Sequence, residues 1–169
     1  ADQVKGEGAL DAKLSTNITF SYNHFWDNGK CNLLGLSENT TEGLYITYHH
    51  NWYDHSDSRH PRIRFYSAHV YNNYYDGNAK YGAASTNGSS VFMEGNFFRN
   101  CKYPMLTSLQ GSDVYSDPKG SFSGEGGGTI KAFNNTMSGQ TRYLAYNAET
   151  NPIEFDAIET VIRNETIPN

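Results

Sequence analysis

The chain has 169 residues, enough for one domain with a real core. Its formal charge of -5 argues against general nucleic-acid affinity, and no apolar run approaches the roughly 18 residues of a membrane helix. Charged residues are only 18%, while Asn, Ser, Thr, Gly and Tyr supply the polarity, a mix that suits turns and β-structure rather than helix.

Residues 1–15 hold Glu7, Gly8, Leu10, Asp11 and Lys13. A strand is predicted at Ile18-Thr19-Phe20 from apolar–polar alternation, leading into the turn-rich Asn23-His24-Phe25-Trp26-Asp27-Asn28-Gly29. A second short strand is predicted over residues 31–36. Then the first phrase returns. Ile46-Thr47-Tyr48 leads to Asn51-Trp52-Tyr53, Ala68-His69-Val70 to Asn73-Tyr74-Tyr75, Val91-Phe92-Met93 to Asn96-Phe97-Phe98, and Ile130-Lys131-Ala132 to Asn135-Thr136-Met137.

The template is apolar, any, apolar, two residues, Asn, then usually two aromatics. A base period near 22 residues marks a repeat architecture whose strands are too short to fold alone and must stack. Without 3.6-residue stripes or a leucine-rich pattern, an all-β, right-handed, single-stranded parallel β-helix is expected. Its asparagines would bond to their own turn and to the asparagine of the next coil, and the aromatics behind them would stack likewise. The longer steps place extra residues at 37–43 and 101–128, as loops on one face. Residues 152–155 read as the start of another coil. Cys31 and Cys101 could form one bridge or remain small buried hydrophobes; free thiols are expected.

There is no initiating Met and no signal peptide, and neither end supplies a cap. Residues 1–169 are therefore expected to be one portion of a longer or nicked β-helix, with a complementary N-terminal segment as a partner.

Basic charge concentrates at Arg59-His60-Pro61-Arg62-Ile63-Arg64-Phe65, three arginines within six positions of a chain with 13 Lys+Arg against 18 Asp+Glu. Such a cluster suits an anionic ligand. This stretch and the following His69-Val70-Tyr71-Asn72-Asn73-Tyr74-Tyr75 resemble pectate lyases of the parallel β-helix type, with their Arg-any-Pro-any-any-Arg signature. So do Ser21-Tyr22-Asn23-His24-Phe25, Asp27-Asn28-Gly29-Lys30, Leu34-Gly35 and residues 48–53. The likeness runs through nearly the whole chain.

The resemblance implies a secreted lyase that cleaves polygalacturonate by calcium-dependent β-elimination. It implies Arg59 as the general base, Lys30 and Arg64 as holders of substrate carboxylates with Lys30 also serving catalysis, and Glu7 and Asp11 as calcium ligands. It further implies a calcium-binding aspartate upstream, which we expect to lie outside these residues. An arginine base is unusual, because guanidinium normally stays protonated. Nearby cations would disfavour its charged form, so an alkaline optimum is expected. In a strand, Ile63 and Phe65 would point in and Arg64 out, and Pro61 would bend the chain between Arg59 and Arg64.

Three other readings compete. The six histidines between residues 24 and 69 could hold zinc, although no metalloprotease spacing is present and structural histidines are expected. A polygalacturonan hydrolase would need paired carboxylates, and the acids near the cluster are Asp54 and Asp57. A non-catalytic pectin-binding coil would use Trp52, Tyr53, Tyr74 and Tyr75 as stacking platforms.

Overall fold

The computed structural model describes residues 8–35, 44–107 and 127–139, with the strand segments 144–145 and 153–155. The strands come in threes, one set per coil. The first coil holds β1 (Ile18–Ser21), β2 (His24–Trp26) and β3 (Leu33–Leu34). The second holds β4 (Tyr45–His49), β5 (Trp52–Asp54) and β6 (Arg62–Arg64), and the third β7 (Ser67–Tyr71), β8 (Tyr74–Asp76) and β9 (Ala83–Thr86). The fourth holds β10 (Ser90–Glu94), β11 (Phe97–Arg99) and β12 (Met105–Leu106). The fifth holds β13 (Thr129–Phe133), β14 (Thr136–Ser138) and β15 (Leu144–Ala145), and β16 (Ile153–Phe155) begins a sixth.

Each third of a coil pairs in parallel with the same third of the next. The first sheet runs β1-β4-β7-β10-β13-β16, the second β2-β5-β8-β11-β14 and the third β3-β6-β9-β12-β15. This is a right-handed parallel β-helix, as the repeat predicts. The start of a sixth coil at residues 153–155 is also present, paired with β13. Both long-loop stretches, 37–43 and most of 101–128, fall largely outside the described residues.

The recurrent asparagines lock the register at the corner between the first and second sheets. The Nδ2 of Asn51 donates to Oδ1 of Asn73 at 3.0 Å, Asn73 donates to Asn96 at 3.0 Å, and Asn96 to Asn135 at 2.8 Å. Asn23 starts the row on Asn51 at 2.9 Å. The same Oδ1 atoms accept the backbone N–H of the asparagine one coil before. The second Nδ2 proton of Asn73 goes to the Tyr48 carbonyl in the first-sheet strand of the preceding coil, not to its own turn. Buried amides thus find partners at every step.

The two residues after each asparagine form two further rows. One lies inside, where Phe25, Tyr53, Tyr75 and Phe98 stack with ring centroids 5.1, 5.0 and 4.2 Å apart. The other lies outside, where His24, Trp52, Tyr74 and Phe97 follow at 4.1, 6.1 and 5.6 Å. The first sheet adds Ile46, Tyr48, Val70 and Met93 to the core. Cys31 and Cys101 are free and buried, as expected; the Cys101 thiol donates to Oδ1 of Asn78, and burial pushes its pKa up to about 12.

Removing a mid-row amide should therefore cost far more than removing the terminal one. Asn73→Ala leaves buried donors and acceptors unpaired on both sides and should lose about 3 kcal/mol or more, whereas Asn23→Ala should lose about 1 kcal/mol. Urea denaturation of the two variants checks the order.

Candidate active site

The predicted basic residues gather along the third sheet and the turn that feeds it. Lys30 forms an isolated parallel bridge with Ser58, so it lies one coil from the residue that precedes Arg59. Its neighbour Cys31 is buried in the core, which leaves half-buried Lys30 at the coil wall. Arg59 sits in the left-handed region with φ 63°, and the His60–Pro61 peptide is cis. The Arg59 carbonyl accepts the N–H of Asn32 at 2.7 Å, and the Asn32 carbonyl accepts the N–H of Arg62 at 3.0 Å. Arg59 is thus placed by a turn ahead of β6, and strand alternation does not govern it.

Within β6 alternation holds. Ile63 is in the core, while Arg62 and Arg64 flank it on the outer side. Arg62 is buried between its register partners Leu33 and Ala84; Arg64 is half-buried. Gly35 follows β3 directly below Arg64. A Cβ there would lie 2.5 Å from the Arg64 carbonyl oxygen, and Gly35 has φ 78°, so glycine is required on both counts.

One predicted carboxylate is on the same face. Ala12 bridges Leu34 in parallel, which puts Asp11 in the column of Leu33 and Arg62. Oδ1 of Asp11 accepts the Leu33 N–H at 2.7 Å, and Oδ2 occupies the space a Cβ on Gly8 would need, 2.8 Å from that position. The carboxylate is exposed and oriented by backbone, and it borders a cavity of about 230 Å³ with Lys13, Leu33 and Gly35. Glu7, the other predicted ligand, lies outside the described residues. Asp11 fits a hard oxygen-seeking cation such as calcium.

The sequence profile of the pectate lyase family matches residues 1–143. The chain belongs to that family. A pectate trisaccharide-lyase of Bacillus licheniformis is 36% identical over 110 residues, which cover 64% of this chain and 32% of the relative. Pectate lyase 3 of Pectobacterium carotovorum is 34% identical over 142 residues, covering 83% and 34%. Pectate lyase B of Dickeya chrysanthemi is 35% identical over 108 residues, covering 63% and 29%. The chain spans about a third of the length of these curated relatives.

In this pectate lyase family member the histidines do not converge on one point. His24 and His55 both contact Asp54, His69 contacts Glu94, and Nδ1 of His49 meets Nδ1 of His50 at 2.8 Å. Among the described residues one group of three donors, Asp54, His55 and Asp76, could hold a metal, on the second sheet. There Arg99 pairs with both oxygens of Asp76 and holds its carboxyl below the usual range, while the hydrogen bond from His55 does most of the same for Asp54. Asp54 and Asp57 form no facing pair: Asp54 is in β5, and Asp57 is buried in the turn with Lys80 at 3.5 Å. The proposed stacking platforms are also spent. Tyr53 and Tyr75 are core residues, and Trp52 and Tyr74 turn their ring faces to neighbours in the outer row.

Three residues that shape the site escaped sequence reasoning: Gly35, Asn32 and His60. Asn32 stands off the recurrent asparagine row, but its Nδ2 donates to the Leu10 carbonyl at 3.0 Å and its backbone carries Arg59 and Arg62. His60 looks like a surface member of the basic cluster, yet it is 0% exposed. Burial lowers its pKa to about 4, against upward pulls from the Tyr81 and Gly82 carbonyls and from Asp57.

Two consequences can be measured. Gly35→Ala should destabilise the protein by about 2 kcal/mol or more, from left-handed strain plus the contact with Arg64, seen as a lower urea midpoint. The second concerns acid. Between pH 6.5 and about 4 the unfolded chain binds a proton on residue 60 that the folded chain does not. Stability should therefore be complete above pH 6.5 and fall by about 3 kcal/mol as pH drops toward 4. Urea titrations at pH 7 and pH 4.5, with His60→Asn as control, isolate that share.

Proposed function

We propose that this chain carries the substrate site of a pectate lyase that cleaves α-1,4-linked polygalacturonate by β-elimination. The observation that supports it best, beside family membership, is that Lys30, Arg59, Arg64 and Asp11 stand on three successive coils along the third sheet and the turn that feeds it. A polyuronate presents a row of carboxylates, and a coil stack offers positions about 4.8 Å apart to meet them.

In this reading Arg59 takes the proton from C5, alpha to the uronate carboxylate. The C5–H electron pair forms the C4=C5 double bond, the C4–O bond breaks, and the departing oxygen takes up a proton. Negative charge builds on the carboxyl group as C5–H breaks. Lys30 and Arg64 hold that carboxyl and stabilise the charge as it develops. Asp11, with Glu7, would hold calcium, which when bound supplies Lewis-acid stabilisation of the substrate carboxylate. A polymer too large to enter a cell makes this an extracellular enzyme.

The test is the product. Elimination leaves an unsaturated uronide that absorbs in the ultraviolet; hydrolysis leaves new reducing ends without that absorbance. Arg59→Ala should lower the rate on polygalacturonate by about 10²–10⁴. A chelator should abolish it until calcium is restored, and zinc should not substitute. Because the guanidine accepts a proton only when neutral, the rate should climb toward alkaline pH. A flat or acid-peaked profile, or reducing ends alone, would rule the reading out.

A further inference from the structure

We propose that His60 is a positioning residue: its buried imidazole, donating from Nδ1 to the carbonyls of Tyr81 and Gly82, fixes the turn that presents Arg59. The inference deepens the proposed function, since it assigns to Arg59 the value of being held still.

Arg59 occupies a conformation that costs a non-glycine residue energy and persists only where its surroundings impose it. Two grips impose it. From the preceding coil, the Asn32 N–H binds the Arg59 carbonyl at 2.7 Å. From the following coil the grip is His60. Its own N–H donates to the Gly82 carbonyl at 3.0 Å, and its ring reaches the same peptide. Nδ1 lies 2.8 Å from the Tyr81 oxygen and 3.2 Å from the Gly82 oxygen. Both partners are acceptors only, so Nδ1 must carry the proton, and burial favours the neutral ring. The ring packs inside against Tyr53 at 5.1 Å and Tyr75 at 6.4 Å, so the inner aromatic row fixes its plane. A residue that only filled this space could be any apolar side chain. Histidine adds a directed donor to the backbone one coil away, immediately after Arg59.

Proximity effects make such a device worthwhile, because a misplacement of about 1 Å at a reacting group can cost about 10²-fold in rate. Asparagine can put an N–H where Nδ1 stands, whereas glutamine places it farther out and alanine removes it. His60→Asn, His60→Gln and His60→Ala would be prepared in the full chain and compared on polygalacturonate by ultraviolet product formation. We expect His60→Asn to keep kcat within about threefold and the other two to lose about 10²-fold in kcat with little change in KM.

Backbone amide exchange gives a readout independent of turnover. In His60→Gln and His60→Ala the Asn32 amide, which binds Arg59, should exchange faster relative to the Asn73 amide, and in His60→Asn it should not. If all amides accelerate together, or if asparagine and glutamine behave alike, His60 is only a core residue and the proposal falls. Arg59→Ala, run in parallel, separates the two ideas. If it retains its rate, Arg59 is not the base, while the exchange at Asn32 still decides whether His60 holds the turn.

Discussion

The structure depends on keeping every coil in the same register as the next. A parallel coil buries apolar residues only if inward positions stay aligned, and a slip of one residue would turn the whole inward set outward. Short strands of two to five residues cannot secure that alone. The asparagine row does, because the mid-row amides of Asn51, Asn73 and Asn96 each bind a backbone carbonyl of the preceding coil and the amide of the following one. It acts like a ratchet with one tooth per coil. The inner and outer aromatic rows sit next to it and inherit its alignment, adding stacking on the order of 1 kcal/mol per pair.

The candidate site inherits the same alignment at a distance. Lys30, Arg59 and Arg64 are separated in sequence, and they come to neighbouring coils because the third sheet repeats with the other two. Local devices then tune each position. A glycine makes room under Arg64, an off-row asparagine and a buried histidine clasp the turn of Arg59, and a backbone N–H turns the Asp11 carboxylate. Arg62 shows the cost of this crowding: it is a buried cation, held between its register partners Leu33 and Ala84, while Arg59 and Arg64 are half-buried. The described contacts do not give Arg62 a chemical role.

Much of the fold was legible because one residue type marks each turn of the solenoid. The spacing of Asn23, Asn51, Asn73, Asn96 and Asn135 gives the strand offsets 28, 22, 23 and 39 that the pairing adopts. The third sheet was harder to read, because pairs such as Leu33–Leu34 and Met105–Leu106 are too short for any periodicity. Nor could sequence reveal the separate buried cluster of Tyr81, Ala84, Tyr103 and Leu106, which forms only when two coils stack. At the site, residue types and the signature Arg59-His60-Pro61-Arg62-Ile63-Arg64 gave the cluster. Its placement was not legible, since strand alternation fails where Arg59 enters a left-handed turn, and His60 is charged-looking by company but core by position.

The corners of the coil differ in how freely they can change. Between the first and second sheets the chain turns through two residues in every coil, and the amide row passes there. Both long steps in the repeat fall elsewhere, between β3 and β4 and between β12 and β13, at the corner joining the third sheet to the first. Length can therefore vary at one edge of the prism without disturbing the ratchet at another. That separation lets a solenoid evolve as a fixed spine with exchangeable trim. New recognition surface can be grafted beside the basic face while the spine, and the geometry it lends to the arginines, stays as it was.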